Sequence, residues 1–585
     1  MVKNTREMMS KRRRPILQAS SAAAALAAAL SWPVQSYGQD APVSLAQAAP
    51  APAPAPQQAP RPAREPSELS TFVDSMIPGF QLNARVNLGE TYTTNATGNS
   101  ALGNQYDLLT SAGIQLDVHD HSRRVSFDAF YSGQVYYYAR SSTSTQFTND
   151  LNALATVIAI PDYLDVIGRA FAQPVVLSNS GFATANGIVG PNGYNNSYGY
   201  SIGPDVHFRL GNFARSDLLA TYGGAYFSNP AGFNSIPPRG FNSIFPTGFN
   251  SIFPGFNNTL IPGVAGPENI TTRDVTETLR SGEDFSRLRW SIIGKFSETD
   301  RRQGLFSEKA GIANVAYAIT PEISLLGTGG YDAIHNSYAL TRDLTGPVGM
   351  GGFELTIGPD FDLMAEAGQK YNSLSFLGSL RWNISARSAL TGLATDGVST
   401  PEGQLLNNLS GMSASMNGAL ASAGNIYSNG TTSTLAAFSA QSLGSLSFTQ
   451  SIARYQRVML TYAQDYERDH ANVTLYGEKL TQLDIFYFGP PVTTSWGVQA
   501  SYSHNITRDI TGMLGAGYGH FQELGGHSNN FNVSGQVDYN LGPRTTVYFR
   551  TDYFKRDASS TLQNLSPYTG SLDDIRLTIG LYRQL

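Results

Sequence analysis

A strict two-residue alternation of apolar and polar side chains, repeated along most of the chain, constrains the fold more than any other feature of the sequence. It is clearest in QLNARVNLGETY, which begins at Gln81. Successive side chains of a β-strand point to opposite faces, so this pattern predicts a strand with one apolar and one polar face. The apolar face holds Leu82, Ala84, Val86 and Leu88, and the polar face holds Gln81, Asn83, Arg85 and Asn87. The alternation recurs in stretches that begin at Arg124, Ser495 and Phe531.

Three further features favour a transmembrane barrel over a soluble β-sandwich. The alternating stretches reach about 10 to 15 residues, which suits a tilted membrane crossing better than the roughly five or six residues of globular strands. Aromatic residues gather near strand ends, at Tyr136–Tyr138 and Phe486–Phe488, where interfacial girdles lie. The polar faces are rich in Asn, Gln, Ser and Thr. Because no later segment offers about 18 consecutive apolar residues, the sequence predicts an all-β fold, a transmembrane antiparallel β-barrel.

Short and long connections alternate between these strands and predict the orientation of the barrel. Outer-membrane barrels keep short turns on the periplasmic side and long loops outside. From a periplasmic start near Phe80, the alternation predicts about 22 strands, within a range of about 18 to 24. Short turns are predicted at Asp120–His121, Ile160–Asp162, Gly211–Asn212, Thr320–Glu322, Ser385–Arg387, Thr507–Asp509 and Gly542–Arg544. The long extracellular loops include residues 178–195, 229–268, 336–346 and 399–440.

The N-terminal region predicts export from the cytoplasm. Six basic residues precede a short Ala/Leu-rich run, which is typical of a secretory signal peptide over residues 1–38; a transmembrane anchor is the alternative. Residues 39–78 form a predicted Pro-rich periplasmic linker, with eight prolines between Pro42 and Pro66. Residues 79–585 form the predicted barrel. We therefore expect a Gram-negative outer-membrane protein that is exported through the general secretory route.

Charge and cysteine content exclude some other classes of protein. Only 14% of the residues are charged, and the chain contains no cysteine, so no disulfide stabilises it. Residues 1–38 hold six of the 39 basic residues and one of the 44 acidic residues, which leaves 33 against 43 and a net charge near −10 after their removal. A chain this acidic is not expected to bind nucleic acid.

The loop at residues 229–268 contains a short phrase, GFNSI with Pro, repeated at intervals of seven or eight residues. Its Gly and Pro residues predict chained turns and no long strand. Two interpretations stay open: a tolerated loop expansion, or a gate that folds over the barrel mouth. The gate candidates are Phe233, Phe241, Phe249 and Phe256.

The loop at residues 399–440 has a different pattern. Leu405, Leu409, Met412, Met416 and Leu420 recur at intervals of three and four residues, which predicts one apolar face of a helix. The helix would lie across the mouth of the barrel.

Two clusters of titratable residues suggest chemistry only superficially. Asp117, His119, Asp120 and His121 lie close in sequence, but the alternation leaves the last two in a turn, so we predict no metal site. The stretch DYERDH offers Asp465 or Asp469 beside His470, without a recognisable nucleophile motif. Phosphate loops, CxxC pairs and the HExxH motif are absent from the sequence. We predict no enzymatic activity, no catalytic residues and no cofactor.

Parts of the barrel sequence resemble a known family. GETYTTNATGNSALGNQYDLLTSAGIQLDV, with its core Glu90–Asn95, is similar to the start of the uncharacterised outer-membrane family termed PEP-CTERM system associated. NSYGYSIGPDVHFRLGNFARSDLLATY and DYNLGPRTTVYFRTDYFKRD resemble its recurring strand, tight turn and strand. The resemblance covers roughly residues 80–585 and implies a barrel often encoded near exopolysaccharide and exosortase genes, with no established activity. The Phe repeat and the 399–440 insertion depart from the family pattern.

The predicted function is porin-like: passage or export of hydrophilic solutes, in a narrower form the export of exopolysaccharide. Pore-lining candidates are Gln81, Asn83, Arg85, Asn87, Asp128, Gln134, Asn532, Gln536 and Asp538. The alternative is a sealed barrel that displays its extracellular loops to a partner. Expected partners are the lipid bilayer, surface polysaccharide and the barrel-assembly machinery. The last is expected because the C-terminal strand places Ile575, Leu577 and Ile579 outward, like the assembly signal of outer-membrane barrels.

Overall fold

A computed structural model describes most of the predicted barrel. The described residues are 80–96, 105–140, 145–176, 194–227, 270–301, 304–337, 344–399, 453–482, 492–523, 526–559 and 571–585. The predicted signal peptide, the Pro-rich linker, the Phe repeat, Phe486–Phe488 and the predicted helix of residues 399–440 lie outside these ranges.

Twenty-two strands make up the described fold. They are β1 (Phe80–Thr93), β2 (Asp107–His121), β3 (Val125–Tyr138), β4 (Gln146–Ile160), β5 (Leu164–Val176), β6 (Tyr194–Leu210), β7 (Ala214–Phe227), β8 (Ile270–Ser281), β9 (Leu288–Arg301), β10 (Gly304–Ala318), β11 (Ile323–Asn336), β12 (Leu344–Ile357), β13 (Phe361–Lys370), β14 (Ser373–Ser385), β15 (Ser388–Ser399), β16 (Ala453–Asp465), β17 (Asp469–Gln482), β18 (Val492–Asn505), β19 (Ile510–Glu523), β20 (Gly526–Gly542), β21 (Thr545–Ala558) and β22 (Leu572–Gln584).

The sheet closes on itself. Each strand pairs antiparallel with the next along the chain, and β1 pairs antiparallel with β22 from Arg85↔Gln584 to Thr93↔Arg576. Closure gives both outer edges of the sheet a partner, which is what a bilayer requires of a β-structure. The predicted all-β antiparallel barrel of about 22 strands is therefore confirmed.

Each of the seven predicted short turns lies at a short connection between strands, one of them with shifted bounds. The structure adds short connections at residues 282–287, 358–360 and 466–468 on the same side of the barrel and, within the described ranges, one on the opposite side. The second strand continues to His121, so the turn predicted at Asp120–His121 begins two residues later, at Ser122. At the opposite end of the barrel, β13 and β14 are joined by only Tyr371 and Asn372, both with positive φ (52° and 57°). Two successive residues with positive φ are typical of a type I′ hairpin turn, although glycine is the usual residue there. This hairpin tip lies among the predicted long loops.

The two faces of the barrel have opposite polarity. Large apolar side chains are exposed on the outer face, including Leu88, Leu475, Leu514 and Ile579. The inner face carries most of the polar and charged side chains, and many of these are buried. Exposed apolar and buried polar side chains are the reverse of a soluble sheet protein and match a barrel whose solvent is lipid. Among the described residues there is no helix of the length and apolarity needed to cross a bilayer.

The aromatic run Tyr136–Tyr138 corrects one sequence interpretation. The sequence suggested that all three tyrosines belong to an outer girdle. Only Tyr137 points outward and is exposed, whereas Tyr136 and Tyr138 point inward and are buried with Leu109 and Ala96. The strand alternation divides the run between the two faces, because adjacent side chains in a strand cannot share one face.

A charged side chain introduced on the outer face should destabilise the barrel by an amount that depends on its depth in the membrane. Leu475 is 48% exposed at the middle of β17, and Leu541 is 59% exposed near the turn end of β20. We expect Leu475→Arg to lower the free energy of unfolding in lipid vesicles by about 2–4 kcal/mol and Leu541→Arg by about 0–1 kcal/mol. Urea titration of both variants measures the difference. Equal losses at the two positions would contradict the assignment of the outer face to lipid.

Candidate functional site: the inner wall of the barrel

The inner wall is not uniform. Along β9 to β14 and β17 to β22, most inward side chains are buried, whereas the inward side chains of β1 to β8 are mostly half-buried or exposed toward the short-turn end. We name the second region, the inward residues of β1–β8 at that end, the accessible arc. In the first region a charged group can be stable only if it is paired, because it has lost most of its water.

A network of polar side chains covers the inner face of β20, β21, β22 and β1. Asp574 is 1% exposed and accepts hydrogen bonds from Arg576 Nε (2.6 Å) and Thr93 Oγ1 (2.8 Å). On the next strand, Arg550 Nε donates to both carboxylate oxygens of Asp552 (2.9 and 3.0 Å). In both of these pairs the opposite charges lie two residues apart on the same strand face. The pairing offsets the desolvation cost and holds the wall in one arrangement.

Tyrosine rings lie flat against the same wall. Tyr548 stacks on Tyr582 with ring centroids 4.5 Å apart. A Cβ atom at Gly580 would come within 2.4 Å of the Tyr548 ring, and one at Gly89 within 3.2 Å of its hydroxyl. These two glycines therefore provide the space that lets Tyr548 lie across β22 toward β1.

A second network covers β9 to β13. Lys295 Nζ lies 2.9 Å from Glu308 Oε2, and both side chains are 3% exposed. Further along, Thr328 Oγ1 lies within hydrogen-bond distance of Asn314 Oδ1 (2.9 Å) and of Glu366 Oε2 (2.8 Å). These contacts involve inward side chains of β9, β10, β11 and β13.

The accessible arc contains both signs of charge. His119 bridges two carboxylates, with Nε2 2.9 Å from Asp117 Oδ1 and Nδ1 2.7 Å from Asp128 Oδ1. His207 Nδ1 lies 2.9 Å from Asp217 Oδ1. Inward basic residues of the arc are Arg85, Arg169, Arg209, Arg215 and Arg280. Because the arc carries both acids and bases, the wall can hydrogen-bond polar solutes of either sign. At the short-turn end, Arg209, Arg215 and Arg280 are direct register neighbours and form a local basic group.

The structure places all nine pore-lining candidates on the inner face, in two different environments. Gln81, Asn83, Arg85, Asn87, Asp128 and Gln134 lie on the half-buried to exposed part of the wall, whereas Asn532, Gln536 and Asp538 are almost completely buried. Asp538 accepts a hydrogen bond from Gln536 Nε2 (2.7 Å). Whether the nine residues line an open pore stays a prediction. The gate candidates Phe233, Phe241, Phe249 and Phe256 lie outside the described residues.

The titratable residues around His119 and around His470 form ion pairs with neighbouring side chains of the barrel. In the described part of the chain, no group of three or more His, Cys, Asp or Glu side chains is arranged to hold a metal ion. His470 Nδ1 pairs with Asp465 across the turn between β16 and β17, while Asp469 Oδ1 lies 2.7 Å from His504 Nδ1. These pairs lie at the short-turn rim. The absence of enzymatic activity stays a prediction.

Sequence reasoning missed the buried ion pairs. Arg550 with Asp552 and Asp574 with Arg576 are readable in principle, because opposite charges two residues apart in a strand share one face. The contact between Lys295 and Glu308 depends on the register of two strands and has no comparable local signal.

The Lys295–Glu308 pair predicts a stability effect with a matched control. Lys295→Met leaves a buried carboxylate without its cation, so we expect a loss of about 3–5 kcal/mol in the free energy of unfolding. Arg273 and Glu298 form an outer pair on neighbouring strands, with the Arg side chain 63% exposed, and Arg273→Met should cost about 0–1 kcal/mol. Urea titration in vesicles compares the two. The interpretation fails if both variants lose the same free energy, or if Lys295→Met/Glu308→Leu is no more stable than Lys295→Met.

No family model matches the sequence, and no curated protein matches it. It is similar to the ferric-catecholate import receptor Fiu from E. coli K12, at 7% identity over 86% of this chain and 81% of that chain, with a TM-score of 0.42. It is also similar to Pseudomonas aeruginosa OprD, at 8% identity over 86% and 95% of the two chains, with a TM-score of 0.30. The siderophore receptor PirA from Pseudomonas aeruginosa gives 9% identity over 86% and 80%, with a TM-score of 0.36. Likenesses this distant decide neither the solute nor the mechanism.

Proposed function

We propose that the chain is an outer-membrane β-barrel that conducts hydrophilic solutes along its lumen. The observation that carries this proposal is the accessible arc, where polar side chains of β1 to β8 remain in contact with solvent inside a wall whose outer face is apolar. A solute that passes along this arc would exchange its hydration shell for side-chain hydrogen bonds. The proposal includes no catalytic step, and it takes the barrel-assembly machinery as the partner that inserts the chain.

The mixed charge of the arc favours weak selectivity. Arg85 and the pair of His119 with Asp128 lie on three adjacent strands, and His207 with Asp217 lies a few strands further. Neutral or weakly charged, hydroxyl-rich solutes fit such a surface better than a strongly charged ion does. Export of exopolysaccharide is the narrower form of the proposal. It is supported by the family resemblance and by the hydrogen-bonding side chains of the accessible arc, such as Asn83 and Asn87, which suit the hydroxyl groups of a sugar.

A sealed barrel is the second candidate function. It is favoured by the near-complete burial of inward charges on β20 to β22, where Asp538 and Asp574 are each 1% exposed. In this alternative the polar networks stiffen a closed body that displays its extracellular loops to a partner. The polysaccharide would then be a surface ligand rather than a transported solute.

Single-channel conductance separates the two candidates. We expect the refolded protein without residues 1–38 to carry a steady ion current in a planar bilayer, and a variant that also lacks residues 232–262 to carry a current at least as large. Current only after the deletion would make the Phe repeat a plug or gate. Silence of both proteins would overturn the channel and favour the sealed barrel.

Cysteine modification locates the conducting path. The chain has no cysteine of its own, so Asn83→Cys on the accessible arc and Asn532→Cys on the buried wall give single reactive sites. A bulky, charged methanethiosulfonate reagent should lower the current through Asn83→Cys by about half and leave Asn532→Cys unchanged, because only a side chain in the aqueous path reacts and obstructs it. Block at both sites would show that the buried wall opens during conduction, and block at neither would place the path elsewhere.

A further inference from the structure

The wall of the barrel contains a break between β14 and β15. Their ladder starts at the short turn and ends at Gly378↔Ala394. Beyond that point, Ser373–Leu377 of β14 still pairs with β13, and Thr395–Ser399 of β15 still pairs with β16, but the two segments do not pair with each other in the described structure. We name this unpaired stretch the seam. The ladder between β4 and β5 also stops short of the strand tips, at Leu151↔Ala172.

Side chains of β16 cross the seam in place of the missing ladder. Arg454 Nη2 and Gln456 Nε2 both donate to the backbone carbonyl of Leu374, at 3.3 and 3.1 Å. Arg454 also donates to the hydroxyl of Ser373. The same two side chains bind Asp396, through Arg454 Nε (2.8 Å) and Gln456 Nε2 (3.0 Å). The seam is therefore closed by a few side-chain bonds and not by a continuous backbone ladder.

The turn of the β13–β14 hairpin lies beside the seam. Tyr371 is buried, its hydroxyl donates to Asp332, and Lys370 Nζ lies 3.2 Å from the same carboxylate. Tyr371 also belongs to a buried apolar cluster with Phe306 and Ile334 of the inner wall and Val398 of β15.

Val398 shows how the two walls meet. It lies on the face of β15 that continues from outward-facing Ala394, yet it is buried in one cluster with inner-wall side chains. The end of β15 thus lies on the lumen side of the β13–β14 turn. The β13–β14 and β15–β16 parts of the wall therefore overlap instead of meeting edge to edge. Overlapping walls can slide apart without breaking a ladder, because no backbone bond joins them along the seam.

The depth of the seam follows from the length of β13. This strand has 10 residues, about the number that a tilted strand needs to cross the hydrocarbon core. The hairpin tip therefore lies near the outer interface, and the seam below it faces the acyl chains of the outer leaflet. Unpaired strand edges are unstable in lipid unless other groups cover them, and here polar side chains provide the cover.

We propose that the seam is a lateral portal, through which an amphipathic molecule passes between the lumen and the outer leaflet with its headgroup among the seam's polar side chains and its acyl chains in lipid. The charged side chains are two cations, Lys370 and Arg454, and two anions, Asp332 and Asp396. This balanced set suits a zwitterionic or hydroxyl-rich headgroup, which can exchange hydrogen bonds with it without adding net charge. The portal goes beyond the proposed axial channel and does not require axial ion current.

Lipid access to the lumen tests the portal directly. Thr395→Cys places a bimane label on the lumen-facing side of β15 at the seam, and Ser111→Cys places one on the equally half-buried inner face of β2, where the wall is paired on both sides. The probe is phosphatidylcholine with a nitroxide on its acyl chain, incorporated in the vesicles. We expect the lipid nitroxide to quench the label at Thr395→Cys and to leave the label at Ser111→Cys unquenched.

Removal of the bridge should increase this access. Arg454→Ala deletes the charge-assisted bonds to Asp396 and to the β14 backbone, so quenching at Thr395→Cys should become faster by on the order of tenfold, while Ser111→Cys stays unchanged. Equal quenching of the two labels, or no quenching at Thr395→Cys, would overturn the portal. The two labels in otherwise wild-type protein decide the matter if Arg454→Ala fails to fold. If the seam instead pairs with a second copy, the protein will be dimeric and both labels will stay unquenched, which also overturns the portal.

Discussion

Backbone donors and acceptors that face lipid need partners within the chain, and the ladder between β1 and β22 supplies them for the two strands that would otherwise be the edges of the sheet. Once the sheet is closed, the outer face must be apolar and the polar half of each strand can only point inward. The polar inner wall therefore follows from closure before any question of function arises. What the chain adds is the way in which it treats those inward groups. On β20 to β22 they are paired and buried, whereas on β1 to β8 they remain partly in water.

The sequence alone predicts the fold well because the two-residue period is local and each strand repeats it. The strand count, the antiparallel order and the inner-face position of residues such as Asn83 and Gln536 all follow from that period and from the alternation of turns and loops. The split of Tyr136–Tyr138 between two faces follows from the same rule, but a cluster of like residues suggests one shared environment. The β13–β14 turn lacks the usual glycine, since Tyr371 and Asn372 occupy its positive-φ positions, and its local signal is correspondingly weak.

The state of the inner wall lies beyond such reasoning for a physical reason. A polar face looks the same in sequence whether it borders water or a packed network, because both environments need hydrogen-bonding side chains. Lys295 and Glu308 meet only because β9 and β10 pair in one register, and Arg454 reaches Leu374 only because the β14–β15 ladder ends early. Axial passage and lateral access would use different parts of this wall. The first depends on the accessible arc and the second on the seam, so the two can be separated by mutation.

The bonds between β1 and β22 also set an order of events during assembly. The side chains of Thr91 and Thr578 hydrogen-bond to each other although the two residues are 487 apart in sequence. Thr93 donates a hydrogen bond to Asp574 over a separation of 481 residues. Contacts this distant in sequence form late, because the entropy of closing so long a loop must be overcome first. Until β22 pairs with β1, the sheet has two unpaired edge strands, and each can pair with another chain. The time between synthesis and closure is thus the period in which this protein is most prone to aggregate, and the last strand is the part whose delay would prolong it.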